Sequence, residues 1–232
     1  MKTIGVIGGV TWESTLEYYR IMNEAVKERL GGYHSPKVLL YSVNFDEVFH
    51  LQKSGNDPGL LEMMLRIARN LEGGGAECLV IAANTLHRLA DEIESRISIP
   101  LLHIADATAE KIKDRKIEKV GLLGTKYTME EDFYRRRLKE RHGIETLVPD
   151  EEDRRLVHRV IMRELALGTI RVESREKYLE IMKKLVEGGA EGIILGCTEI
   201  PLLLRQEHTD IPVFDTTDVH ARAAVDFALQ VD

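Results

Sequence analysis

The chain has 232 residues, enough for one large domain or two small ones. Its 44% hydrophobic and 31% charged residues are the mix of a soluble globular protein, and a net charge of −7 argues against a nucleic-acid or anionic-membrane partner. Two cysteines, Cys78 and Cys197, are too few for a secreted disulfide framework. No window reaches the ~18 apolar residues of a membrane span, and the first apolar run is too short for a signal peptide, so a cytoplasmic protein is expected.

Short apolar runs alternate with longer amphipathic ones, the signature of a parallel α/β protein. TIGVIG at 3–8 reads as the first strand, followed by a helix over 15–30. KVLLYSV (37–43) is the second strand, and a helix over 58–72 leads to CLVIAA (78–83) and then PLLHI (100–104). The pattern restarts with KVGLLG (119–124), a helix over 130–141, ETLVP (145–149), helices over 154–165 and 173–187, then GIILG (192–196) and PVFD (212–215). Cys78 lies inside an apolar run and reads as an inert buried thiol. YRRRLKERHG at 134–143 reads as a solvated helix face. GVIGGV misses the G-x-G-x-x-G spacing, and no acidic residue closes the second strand, so a dinucleotide site is not expected.

The restart is a duplication. IGVIGG from Ile4 matches VGLLGT from Val120, GGAE recurs at 74 and 188, and IPLLHIADATA from Ile99 matches IPVFDTTDVHA from Ile211. Two pseudo-symmetric parallel-sheet α/β halves are expected, one formed by 1–98 with 215–232 and the other by 99–214. Ligands of parallel sheets bind beyond the carboxyl ends of the strands, and clefts between domains are favoured sites. The active site is therefore expected in the cleft between the halves, from loops 8–12, 44–46, 83–87, 124–128 and 197–199.

The duplication pairs Ala82, Ala83, Asn84 and Thr85 with Gly196, Cys197, Thr198 and Glu199. Cys197 follows a glycine at a strand end and precedes a helix start, where the helix dipole lowers a thiol pKa and favours thiolate. Thr198 and Glu199 can hydrogen-bond nearby groups. No Cys/His cluster has metal-ligand spacing, so no metal is expected.

IGVIGGVTWEST, AANTLH, LLGTKYTMEEDFYRRRL, ELALG and GCTEI together resemble the aspartate/glutamate racemases, across essentially the whole chain. The resemblance implies two α/β domains, a homodimer, a small amino-acid substrate, and racemisation without pyridoxal phosphate or another cofactor. In many members a thiolate removes the α-proton and an opposed thiol returns one. Cys197 corresponds to one of these groups and Ala83 occupies the position of the other. The same resemblance assigns Thr11, Gln52, Asn84, Thr85, Thr125, Glu164, Thr198 and Glu199 to substrate binding, and leaves Trp12 to loop packing. A methyl group at Ala83 can neither take nor give a proton. Three readings stay open: an introduced substitution, a water or a neighbour such as Thr85 or Glu164 standing in, or a single-thiol decarboxylase related to the family. A binding protein without turnover is a further alternative.

Overall fold

The computed structural model describes residues 1–230. The first repeat runs β1 (Thr3–Gly8), α1 (Trp12–Leu30), β2 (Lys37–Ser42), α2 (Phe45–Lys53), α3 (Asp57–Gly73), β3 (Cys78–Ile81), α4 (Ala90–Glu94), β4 (Leu101–Leu102) and α5 (Ile104–Asp114). The second runs β5 (Lys119–Gly124), α6 (Lys126–Glu130), α7 (Asp132–His142), β6 (Glu145–Leu147), α8 (Glu151–Arg163), α9 (Val172–Glu187), β7 (Gly192–Gly196), α10 (Ile200–Leu203), β8 (Val213–Asp215) and α11 (Thr216–Leu229). All eight expected strands are present. The helix expected over 130–141 is divided, because Glu131 is extended between α6 and α7.

The chain separates into two units, Met1–His103 with the tail from His220, and Ile104–Val219. The unit boundary falls after His103 rather than 98, because β4 pairs with β3 in the first sheet. The second boundary lies inside α11 rather than at 215, because Asp215 pairs with Leu195 of β7 and Thr216 Oγ1, at the start of α11, donates to the Leu195 carbonyl at 2.8 Å.

Each unit holds one parallel four-stranded sheet, ordered β2-β1-β3-β4 in the first and β6-β5-β7-β8 in the second. Parallel strands need crossover helices, and helices on the sheet faces leave room for unbroken apolar strands such as CLVI and GIILG. The duplication holds down to register. Ile4 pairs with Cys78 as Val120 pairs with Gly192, and Leu79 pairs with Leu101 as Ile193 pairs with Val213. The same acid closes both strand starts: Glu77 Oε2 accepts from Thr3 N at 2.6 Å, and Glu191 Oε1 accepts from Lys119 N at 3.2 Å. Gly5 and Gly121 are also equivalent. A Cβ on Gly5 would meet Ala76 Cβ in the loop after α3 at 2.8 Å, and one on Gly121 would meet Leu185 Cδ1 of α9 at 2.8 Å, so a residue without a side chain is required where a helix or its loop comes close.

The last helix of each repeat changes units. Residues Ile104, Ala105, Ala109 and Ile112 of α5 pack with Val120, Leu122, Tyr134 and Leu138 of the second unit. Residues Ala221, Ala224, Val225 and Ala228 of α11 pack with Ile4, Val6, Tyr18 and Met22 of the first. These exchanged helices place different partners on equivalent tyrosines. Tyr18, buried in the first unit, donates to His220 Nδ1 at 2.8 Å. Tyr134, buried in the second, donates to Thr108 Oγ1 at 3.5 Å.

Candidate functional site

In the second unit the functional candidates gather at the carboxyl ends of β5 and β7. Gly124 pairs with Gly196, so Thr125 and Cys197 leave adjacent strands at the same level. Close approach explains the glycines: a Cβ on Gly124 would meet the Gly196 carbonyl oxygen at 2.8 Å. Thr125 caps α6, accepting from Thr128 N at 3.4 Å.

Cys197, Thr198 and Glu199 form one buried group. Cys197 Sγ donates to Glu199 Oε2 at 2.8 Å, and Thr198 Oγ1 donates to the same oxygen at 3.0 Å. The backbone N–H groups of Thr198 and Glu199 also bond to the sulfur. The helix-start argument predicts a lowered thiol pKa, and the structure corrects it. Burial pushes the Cys197 thiol well above its ordinary range, and the facing Glu199 carboxylate adds to the shift, outweighing the two backbone donors. The helix that follows, α10, has only four residues and so offers little dipole.

Glu164 lies where α8 ends and a short 3₁₀ turn, Leu165–Leu167, begins. That turn packs on α10, and Leu165 shares a core cluster with Cys197 and Tyr178. Ser174 Oγ at the start of α9 donates to Glu164 Oε2 at 2.6 Å and fixes the carboxylate. The charges of Cys197 and Glu164 both act on the buried Tyr178 hydroxyl, whose pKa is raised first by burial and then by these two groups. Sequence reasoning missed Ser174 and Tyr178, since both occupy ordinary positions on an amphipathic helix. Asp215 and Thr217 were missed too. Asp215 Oδ1 accepts from the backbone N–H of Thr217 at 2.8 Å, at the end of β8 next to β7. Burial raises the Asp215 carboxyl to about 6.

In the first unit, Thr11 and Ala83 follow the ends of the paired strands β1 and β3. Thr11 caps α1, and its carbonyl accepts from Ser14 Oγ and Thr15 Oγ1, each at 2.9 Å. Ala83 and Asn84 are buried, and Thr85 opens the 3₁₀ turn Thr85–Leu89 half-buried. Gln52 sits apart from this group. It is half-buried two turns into α2, about 10 Å along the helix from its start. Trp12 does not pack as expected: it is 64% exposed as the first residue of α1.

Behind Ala83 lies a buried histidine cluster that the scattered histidines of the sequence did not announce. His87 Nδ1 donates to the Ala83 carbonyl at 2.9 Å, and its ring centroid is 4.6 Å from His103 and 5.5 Å from His220. His220 Nε2 donates to the Leu102 carbonyl at 2.7 Å, which leaves Nδ1 to accept from Tyr18. Both bonds suit a neutral ring, and burial lowers the His220 pKa to about 4. The basic stretch on α7 is also less solvated than expected. Arg137 and His142 close on Asp106 of α5, with Arg137 Nε at 2.8 Å and His142 Nε2 at 2.8 Å. Among the described residues, no group of His, Cys, Asp and Glu could hold a metal ion, and no helix is long and apolar enough to cross a membrane.

This arrangement carries a family assignment. Residues 7–224 match the model of the Asp/Glu/Hydantoin racemase family, and the chain belongs to that family. It is 22% identical over 225 residues to the broad specificity amino-acid racemase RacX of Bacillus subtilis, covering 96% of each chain. Among solved structures it is 52% identical to a candidate Asp/Glu racemase from Yersinia pestis, with TM-score 0.93, covering 99% of this chain and 100% of that one. It is 39% identical to an aspartate racemase homologue from Pyrococcus horikoshii, with TM-score 0.86 and the same coverage.

Proposed function

We propose that the protein racemises small amino acids, acidic ones first, by cofactor-independent transfer of the α-proton to and from a thiol. The observation that carries this reading is the Cys197–Glu199 contact at 2.8 Å, buried at a strand end. The α-proton of an amino acid is a weak acid, so a strong base must be aimed at it while donors hold the carboxylate. A thiol raised by burial is protonated at rest, and the proton needs an acceptor in contact. Glu199 takes the proton from Cys197 Sγ. The thiolate, stabilised by the N–H groups of Thr198 and Glu199, then takes the α-proton and leaves a carbanion conjugated with the substrate carboxylate.

Inversion needs a proton from a second donor. The duplication assigns that place to residue 83, where a methyl group stands. Proton return from Cys197 itself restores the starting enantiomer, so turnover by inversion depends on water, Thr85 or Glu164 as donor. Thr11, Gln52, Asn84, Thr85, Thr125, Glu164 and Thr198 serve substrate binding in this reading. The acidic-substrate preference draws on the family and on the likeness to an aspartate racemase homologue. A homodimer in the cytoplasm belongs to the same reading.

The test is incubation with L- and D-aspartate and L- and D-glutamate in deuterated water, read by mass spectrometry and chiral chromatography. The expected result is α-hydrogen exchange in one enantiomer with slow net racemisation, and loss of exchange in Cys197→Ser. Exchange at the parent rate in that variant would remove the thiol from the mechanism.

A further inference from the structure

We infer that the second unit carries a binding site for a small phosphate-bearing ligand, in a basic cavity bounded by α7 and the first residues of β5 and β6. The cavity measures about 400 Å³, a size suited to a metabolite. Arg135, Arg136 and Lys139 of α7 and Lys119 of β5 line it, together with the carboxylates of Asp132 and Glu145. Four cations against two carboxylates leave a local excess of two positive charges, in a chain whose net charge is −7.

The carboxylates are already used. Arg135 Nη2 donates to Asp132 Oδ1 at 2.8 Å, and Lys139 Nζ donates to Glu145 Oε1 at 3.2 Å. Three donors of the lining remain. Arg135 Nε and Thr146 Oγ1 are buried, and neither hydrogen-bonds to a described residue. Arg136 forms no ion pair among the described residues. A donor taken out of water and left without an acceptor costs stability, so such atoms in one cavity point to a further partner.

The duplication supplies an internal control, because the fold does not require this arrangement. Thr146 pairs with Val120 as Val38 pairs with Ile4, so the buried hydroxyl stands where the first repeat has a valine. Offset by 116, the positions of Lys119, Arg135 and Lys139 hold Thr3, Tyr19 and Asn23. Arg136 has a cationic counterpart in Arg20, but Arg20 bridges Glu17 at 2.6 Å and Glu24 at 2.5 Å. The position of Glu17 is taken by Phe133 in the second repeat, and that bridge is lost.

The chemistry of the lining selects phosphate. A phosphate monoester carries about −1.5 to −2 charges at neutral pH and three acceptor oxygens, which matches the local charge excess and the three remaining donors. Two of those donors belong to arginine forks, whose geometry suits phosphate oxygens. A carboxylate brings one charge and two oxygens, and the cavity already holds two carboxylates of its own. The site is also separate from the thiol. Lys119 opens β5, whereas Gly124 closes it beside Gly196, the residue before Cys197, about 16 Å along the strand.

The inference is independent of the thiol chemistry proposed above. Its test is isothermal titration calorimetry of the full chain at constant ionic strength, with inorganic phosphate, glycerol 3-phosphate and succinate as probes. One saturable site is expected for the two phosphate probes, with succinate at least tenfold weaker. Tighter binding of glycerol 3-phosphate makes the ligand a phosphate ester, and equal or weaker binding makes it phosphate itself. Arg136→Ala, a change at an exposed side chain, is expected to weaken binding at least tenfold, and Cys197→Ser to leave it unchanged. Thr146→Val installs the residue of the first repeat. Affinity is expected to fall severalfold while the thermal midpoint holds or rises, since an unpartnered hydroxyl is removed. The inference is overturned by no saturable binding of either phosphate probe, by succinate binding equally well, by an affinity indifferent to Arg136→Ala, or by loss of binding in Cys197→Ser. A lower midpoint with unchanged affinity in Thr146→Val overturns it as well, because the hydroxyl is then structural.

Discussion

The two repeats use one scaffold for two different ends. Register, strand order, the acid that closes the first strand and the crowded glycines are the same in both. They diverge where the backbone does not need them. Ala83 stands in the first repeat where Cys197 stands in the second, and neutral His220 supports one core tyrosine where Thr108 supports the other. A duplicated fold keeps what positions its strands, because a one-residue slip would move every strand side chain to the opposite face of the sheet. Its strand ends and outer helix faces are free to differ, and in these two repeats they do.

The sharpest way to break the comparison is to make its two strand ends alike. Ala83→Cys is expected to raise racemisation by roughly 10²–10⁴-fold, the worth of a positioned acid/base group. The gain should disappear in the double variant Ala83→Cys, Cys197→Ala, because the two groups act as a unit. Chiral chromatography of aspartate and glutamate reads both results, and no gain in the single variant would end the equivalence of the two positions in function.

A smaller effect is expected at Glu199. Glu199→Gln keeps the shape but removes the acceptor of the Cys197 proton, and α-hydrogen exchange should fall by roughly 10²-fold. Exchange in the variant should recover as pH rises, since hydroxide can then deprotonate the thiol. A pH profile parallel to that of the parent chain would make Glu199 merely structural.

The smallest effects concern stability, and they have opposite signs in the two units. His220 titrates near 4 when folded against an ordinary 6.5, so its stabilisation is complete above pH 6.5 and is lost as pH falls toward 4, by about 3 kcal/mol at most. Asp215 is raised from 3.8 to about 6, so its contribution is complete below pH 3.8 and is lost as pH rises through 6. Urea midpoints between pH 4 and 6.5 should therefore change slope in opposite directions in His220→Gln and Asp215→Asn. Slopes that move together would contradict the burial argument for one of the two.

The alternation of apolar runs with amphipathic ones located all eight strands, and the repeated words IGVIGG, GGAE and IPLLHIADATA located the duplication. These are local signals, set by the two-residue period of strands and by the close packing that strand glycines permit. The motifs AANTLH and GCTEI also picked out the strand ends at Ala83 and Cys197 that the sheets present. Other features were not legible. The sequence assigned PLLHI to the wrong half because it cannot show that β4 pairs with β3, a contact about twenty residues apart in the chain. It gave Cys197 a lowered pKa because a helix start is visible in sequence, whereas burial and the turn of the Glu199 carboxylate onto the sulfur are not. His220 joins His87 and His103 only because α11 returns to the first unit, and Ser174 meets Glu164 across the turn that joins α8 to α9. Periodicity and motif are properties of neighbours along the chain; burial, charge pairing and the exchange of the last helices depend on residues that only the tertiary fold brings together.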